Sequence, residues 1–163
     1  MELGTKGRRV YIGKLAGTSV FDPLGDQVGK VHDVVVVFRL KSEANVIGVV
    51  VEVGPRKRVF LPLTRITSIE SGSVITTGLL NIRSFNQRPI ETLVVSELFD
   101  RVVTMNDGSG QVQILDVAMR QRRPKDWVIS TLHVQRVRTS ALGFSRRGET
   151  LTVDVSEVSG LLK

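Results

Sequence analysis

Val28-Gly-Lys-Val-His-Asp-Val-Val-Val-Val, residues 28–37, decides how this chain is read. Side chains alternate between the two faces of a strand, so the four valines Val34 to Val37 cannot all point one way. Such a run predicts a strand buried on both faces. A near echo follows at Gln113-Ile-Leu-Asp-Val-Ala-Met, with Asp116 standing where Asp33 stands in the first stretch. A second pair agrees without a gap: Val59-Phe-Leu-Pro-Leu-Thr-Arg-Ile and Leu151-Thr-Val-Asp-Val-Ser-Glu-Val. In it the apolar residues Val59, Leu61, Leu63 and Ile66 fall on Leu151, Val153, Val155 and Val158. The spacings imply a repeat of roughly 80 to 90 residues, far longer than a solenoid period. The chain therefore reads as one small β module used twice.

Working outward, Ser19 to Phe21 starts a strand, and Asp22-Pro-Leu-Gly-Asp supplies turn chemistry, with Gly25 placed to accept a positive φ. The valine strand runs to Leu40, the polar turn Lys41 to Asn45 follows, and Val46 to Val53 is a second β-branched run. Gly54-Pro-Arg-Lys turns into Val59 to Leu63, where Pro62 marks an edge or a strand end. Ile66 to Glu70, Ser71-Gly-Ser and Val74 to Thr77 read as a closing hairpin. In the second module, Ser96-Glu-Leu-Phe-Asp offers a short helical turn and Val102 to Met105 a strand. Gln111 to Met119 pairs with Trp127 to Gln135, and Leu151 to Val155 returns before Val158 to Leu162 closes. Short strands at regular turn spacing predict an all-β protein of two tandem small antiparallel β-barrels with short helical turns. The expected divisions are a flexible lead-in over 1–14, a first barrel over 15–83, a linker over 84–90 and a second, diverged barrel over 91–163.

The 163 residues suffice for one medium domain or two small ones. Each half can bury only a modest core alone, so the halves are expected to pack together. With no cysteine, disulfides, thiolate metal sites and cysteine nucleophiles are excluded, which suits a cytoplasmic protein. No apolar run approaches the length of a membrane span, and residues 1–9 lack the apolar core of a signal peptide. The net charge is +7. It is spread over the chain: 11 basic and 7 acidic residues precede Arg83, and 12 and 9 follow from it. Such a surface attracts RNA, anionic lipid or acidic protein, or is simply solvated.

Residues 20–37, with Gly25, Gly29, Val31, Asp33 and Val34 at their spacings, resemble the opening of a PRC-barrel domain. Val59-Phe-Leu-Pro-Leu resembles that family's strand before its closing turn. The second copy fits at Asp107, Gly108, Asp116 and Val117, but Val112 stands where the first has Gly29. PRC barrels are similar to the carboxy-terminal domain of the ribosome-maturation factor RimM and to part of the photosynthetic reaction-centre H subunit. The tandem, with Arg88-Pro at its junction and Asp126-Trp in the second copy, resembles actinobacterial-type proteins. In those, paired PRC barrels precede an MgtE-type intracellular domain and CBS domains. The resemblance implies a β-barrel adaptor without catalytic residues, coupled to magnesium sensing or transport in a longer parent chain.

Chemistry is sparse. His32 and His133 each lie within a central strand, apart in sequence and without convergent carboxylates to make a metal or general-base site. Asp33 and Asp116 read either as a paired carboxylate site between modules or as structural aspartates accepting N–H bonds from the preceding turn. Gly25 and Gly29 are structural turn residues. No phosphate loop, dinucleotide fingerprint or nucleophile elbow occurs, so the chain reads as non-catalytic, without cofactor or metal. Arg56, Lys57 and Arg58 form one basic turn and Arg122 and Arg123 belong to another; with Trp127, a core anchor or a partner hot spot, they are the candidate partner- or RNA-binding residues. Three functions follow: a protein-docking adaptor, an RNA- or ribosome-binding module, or a homo-oligomer joined by strand edges. The RNA reading requires the two basic turns to form one patch.

Overall fold

The computed structural model describes residues 8–39, 44–70, 72–79, 82–139 and 145–162. Residues 1–7 of the expected lead-in, the centre of the turn at Lys41 to Asn45, and Ser71 of the closing hairpin lie outside the described residues. The strands are β1 (Arg9–Tyr11), β2 (Ser19–Phe21), β3 (Gln27–Val37), β4 (Asn45–Glu52), β5 (Arg58–Pro62), β6 (Ile66–Glu70) and β7 (Ser73–Thr76). Then come β8 (Glu91–Leu93), β9 (Val102–Met105), β10 (Gln111–Arg123), β11 (Asp126–Thr139), β12 (Ser145–Asp154) and β13 (Val158–Ser159). One α-helical turn, α1 (Ile12–Leu15), follows β1, and a π-helical turn, Val94–Leu98, follows β8. Single 3-10 turns, Leu63–Arg65 and Val155–Glu157, follow β5 and β12.

The fold is all-β, but not two closed barrels. The described strands join in one 13-stranded sheet whose path runs β13-β9-β10-β11-β4-β3-β2-β7-β6 and does not close on itself. The correction has a physical cause. Closing each half alone would leave the starts of β4 and β11 as free edges; instead they pair with each other, Trp127 opposite Val46 and Val128 opposite Asn45. The Ile129 amide adds a bond of 2.9 Å to the Ala44 carbonyl. The valine strand is buried on both faces, with Val34, Val35 and Val36 each 0% exposed. One core cluster takes residues from Val10 to Leu161, so the halves share a single apolar interior. At about 25 cal/mol per Å² removed from water, that shared burial is the main term holding the halves together.

Each half also lends an arm to the other. β1 pairs with β10 of the second half, Val10 opposite Met119, and α1 leads away from it to pack Ile12 and Leu15 fully inside. β8 pairs with β3 of the first half, Thr92 opposite Val36, and the π turn leads away to bury Val94 and Leu98. Arg9 to Lys14 therefore belong to the ordered sheet and its first turn rather than to a free lead-in. The linker is likewise engaged: Ser84 bridges Val59, the Phe60 amide donates to the Arg83 carbonyl at 3.1 Å, and the Phe85 amide to the Arg58 carbonyl at 2.9 Å. The expected helical turn at Ser96 begins two residues earlier. Its flanking residue Leu93 supplies no cap; the amides are satisfied from another strand, described next.

Candidate interaction surface

The two repeated aspartates set the frame on which every surface feature sits. Asp33, on β3, is 0% exposed. Its Oδ1 accepts from the Val95 amide at 2.7 Å and from its neighbour Val34 at 2.8 Å. Its Oδ2 accepts from the Ser96 amide at 2.9 Å and the Ser96 hydroxyl at 2.7 Å. Helical first-turn amides have no partner within their own turn, so a carboxylate placed there satisfies them and complements their partial positive charge. Asp116, on β10, does the same for α1: its Oδ1 accepts from Gly13 and Val117, both at 2.8 Å. Apart from Val34 and Val117, each the next residue in its own strand, the donors come from the opposite half, where the sequence reading placed them in the preceding turn. Each carboxylate has its own separate set of donors, so the two are not one paired site. His133 lies opposite Asp116 in the β10–β11 register and His32 lies on β3, both half-buried. Among the described residues no group of three or more His, Cys, Asp or Glu converges as metal ligands would.

The glycines act as the local chemistry demands. Asp22 Oδ1 accepts from Leu24 and Asp26, and Gly25 completes that turn at a φ of 89°, where a side chain would be strained. Gly29 has an ordinary conformation but no room: a Cβ would stand 2.6 Å from the Glu52 carbonyl oxygen.

The two basic turns do not converge. Arg56, Lys57 and Arg58 are exposed at the Arg58 end of β5, with Arg58 only 3.9 Å from Glu52. Arg122 and Arg123 sit on the β10–β11 turn and pair with Asp126 at 3.1 and 3.6 Å. Lys125 of that turn donates to the carbonyls of Ile66 and Thr64, beyond the Pro62 end of β5. The five residues of β5 separate the turns by roughly 13 Å or more at about 3.3 Å per residue. That exceeds the Debye length of about 8 Å at physiological ionic strength, so the charges of the two turns are largely screened from each other. Trp127 is 4% exposed where β11 meets β4 and lines a small pocket with Arg8, Leu63 and Lys125.

What sequence reasoning missed is the surface around residues 83–91. A groove of about 590 Å³ is lined by Ile47, Phe60, Phe85, Arg88 and Pro89, among others. The rings of Phe60 and Phe85 lie 6.3 Å apart within it. A second groove of about 390 Å³ flanks the same segment and reaches Leu161 and Leu162. Ile90, 70% exposed, stands on the segment, and Leu162 is 55% exposed. The signal was present as Phe85, Pro89 and Ile90 in a stretch otherwise polar, but an apolar residue in a linker does not announce which strand it will lie against.

With this geometry in hand, comparison with known proteins corrects the family reading. No curated protein matches the chain. The PRC-barrel resemblance is overturned, and neither it nor the MgtE and CBS domains it implied has support. Its residues have local explanations instead: Asp22 and Gly25 make a turn, Gly29 permits a close approach, and Asp33 satisfies a helical turn. Such requirements recur in any small β module and do not mark one family. Nor does anything support a magnesium-linked role or kinship with RimM. The match that is found covers residues 92–163, somewhat under half the chain, and there the protein is similar to the Actinomycetes SH3 domain family.

Proposed function

We propose that this protein is a non-catalytic interaction module that docks a protein partner, built from two copies of one small β unit in tandem. The observation that carries this reading is the similarity of residues 92–163 to an SH3 family, a class of small β domains that act by binding proteins. The recurrence of the helical turn capped by an aspartate, the long strand pair and the 3-10 turn in both halves supports the duplication. The division at about residue 91 agrees with where the family match begins. The docking surface is the pair of grooves at Arg88-Pro89, where half-buried Ile47, Phe60 and Phe85 and exposed Leu162 are rimmed by Arg83, Arg88, Glu91, Glu97 and Arg101, with exposed Ile90 standing next to them in the chain. An apolar centre with a charged rim is the usual anatomy of a protein interface.

The test is capture of partners from native lysate on the immobilised chain, with and without nuclease, beside the surface variant Ile90→Asp. A discrete protein retained after nuclease and lost with Ile90→Asp supports docking at the grooves. Retention only while RNA is intact overturns the protein reading.

A further inference from the structure

The two halves differ at one sheet edge. In the first, the outer edge of β5 is taken by Arg83 to Phe85, which bridges Val59 and exchanges bonds with Phe60 N–H and Arg58 C=O. In the second, β12 occupies the corresponding place. It pairs with β11 through Thr131–Asp154 and His133–Thr152, as β5 pairs with β4 through Gly48–Pro62 and Val50–Phe60. The counterparts of Phe60 N–H and Arg58 C=O are then Thr152 N–H and Thr150 C=O. Among the described residues β12 pairs with β11 alone, and no backbone hydrogen bond outside that ladder engages those two groups. An open edge with its backbone groups directed outward is a template for another strand.

We infer that the edge of β12 at Thr150–Thr152 accepts an extended segment of a protein partner by strand addition, and that this segment carries an arginine. The inference rests on the docking function proposed above and adds to it a second surface. The mode is the one this chain already uses on β5, and the arginine follows from charge. In the antiparallel register of the Arg83 segment, the residue opposite Thr152 falls on the same side of the strand as Asp154, which caps the following turn with Glu157. Both are exposed and neither is paired with a cation among the described residues, while Glu149, towards the other end, is paired with Arg136 at 3.3 Å. Main-chain bonds give such a segment its affinity, and side chains at alternate positions give selectivity.

The probe is a synthetic peptide with the sequence of residues 81–88, Asn-Ile-Arg-Ser-Phe-Asn-Gln-Arg, titrated into the full, isotope-labelled chain and followed by amide NMR. The expected result is shift and slowed hydrogen exchange at Thr152 and its neighbours. A peptide methylated on the phenylalanine amide, which leaves the protein untouched, should bind at least about tenfold more weakly, since it cannot donate to Thr150 C=O. Glu149→Lys should weaken binding about threefold, more at low salt. Shifts confined to the grooves or to β5 overturn the inference. So does binding seen only after residues 1–7 are removed, since the chain would then fill its own edge, and so does a protein mass that doubles with concentration, which would make the occupant a second copy. A lysate partner that is lost with Ile90→Asp while the peptide leaves β12 unshifted keeps the docking function and sinks the edge.

Discussion

Asp33 and Asp116 hold equivalent places in the two halves, each accepting the amides of a helical turn lent by the other, yet their surroundings differ. Asp33 is fully buried and takes four donors; Asp116 is half-buried and takes two. A buried donor left without its acceptor bears its desolvation penalty in full, whereas a half-buried one regains water. The same residue in the same register therefore carries unequal weight. The first half depends more on its borrowed turn than the second does on α1.

The largest expected effect is Asp33→Ala, which orphans the Val95 and Ser96 amides and should cost about 3–5 kcal/mol in urea denaturation. A loss below about 1 kcal/mol would break the comparison, because the turn would then be held by Leu98 and Val94 alone. Gly29→Val gives the first half the residue found at Val112 in the second. With Glu52 O and Val51 Cγ1 each 2.6 Å from the new Cβ, the swap should destabilise by about 1–3 kcal/mol. Equal or greater stability would mean that the two strands can adopt one spacing. Asp116→Ala should cost about 1–2 kcal/mol, clearly less than its counterpart; parity between the two would remove the asymmetry.

The smallest effect concerns the turn before β10. The Ser109 side chain, then its backbone amide, hold the Asp107 carboxyl below its ordinary value, with Arg136 adding a little and desolvation opposing. A folded-state value below the unfolded one contributes stability at pH above the unfolded value, and that stability is lost as pH falls through the folded one. Ser109→Ala should raise the Asp107 titration midpoint towards normal, as read by carboxyl NMR; no movement would remove the hydroxyl from the account.

Much of this was legible in the chain. β2, β6 and β9 have the bounds the residues predicted, and Val34 to Val36 are buried as a run with no polar face must be. The repeated aspartates stood out because a carboxylate between valines has to be satisfied by something. Most of what satisfies them was not legible: beyond the adjacent amides of Val34 and Val117, the donors of Asp33 lie 62 and 63 residues away, and that of Asp116 lies 103 away. β8 was missed because Glu-Thr-Leu shows too little alternation to be read as a strand, and it exists because β3 offers an edge there.

Sequence by itself determined the all-β class, the turn positions and which residues of each strand face the core, because alternation is a local property with a period of two residues. It also held the two aspartates that each half needs. Only the tertiary structure decided that β4 meets β11, that the arms cross, that the sheet stays open, and that the Arg83 segment covers β5. Backbone N–H and C=O groups are the same in every strand, so which edges find each other depends on where the whole chain brings them.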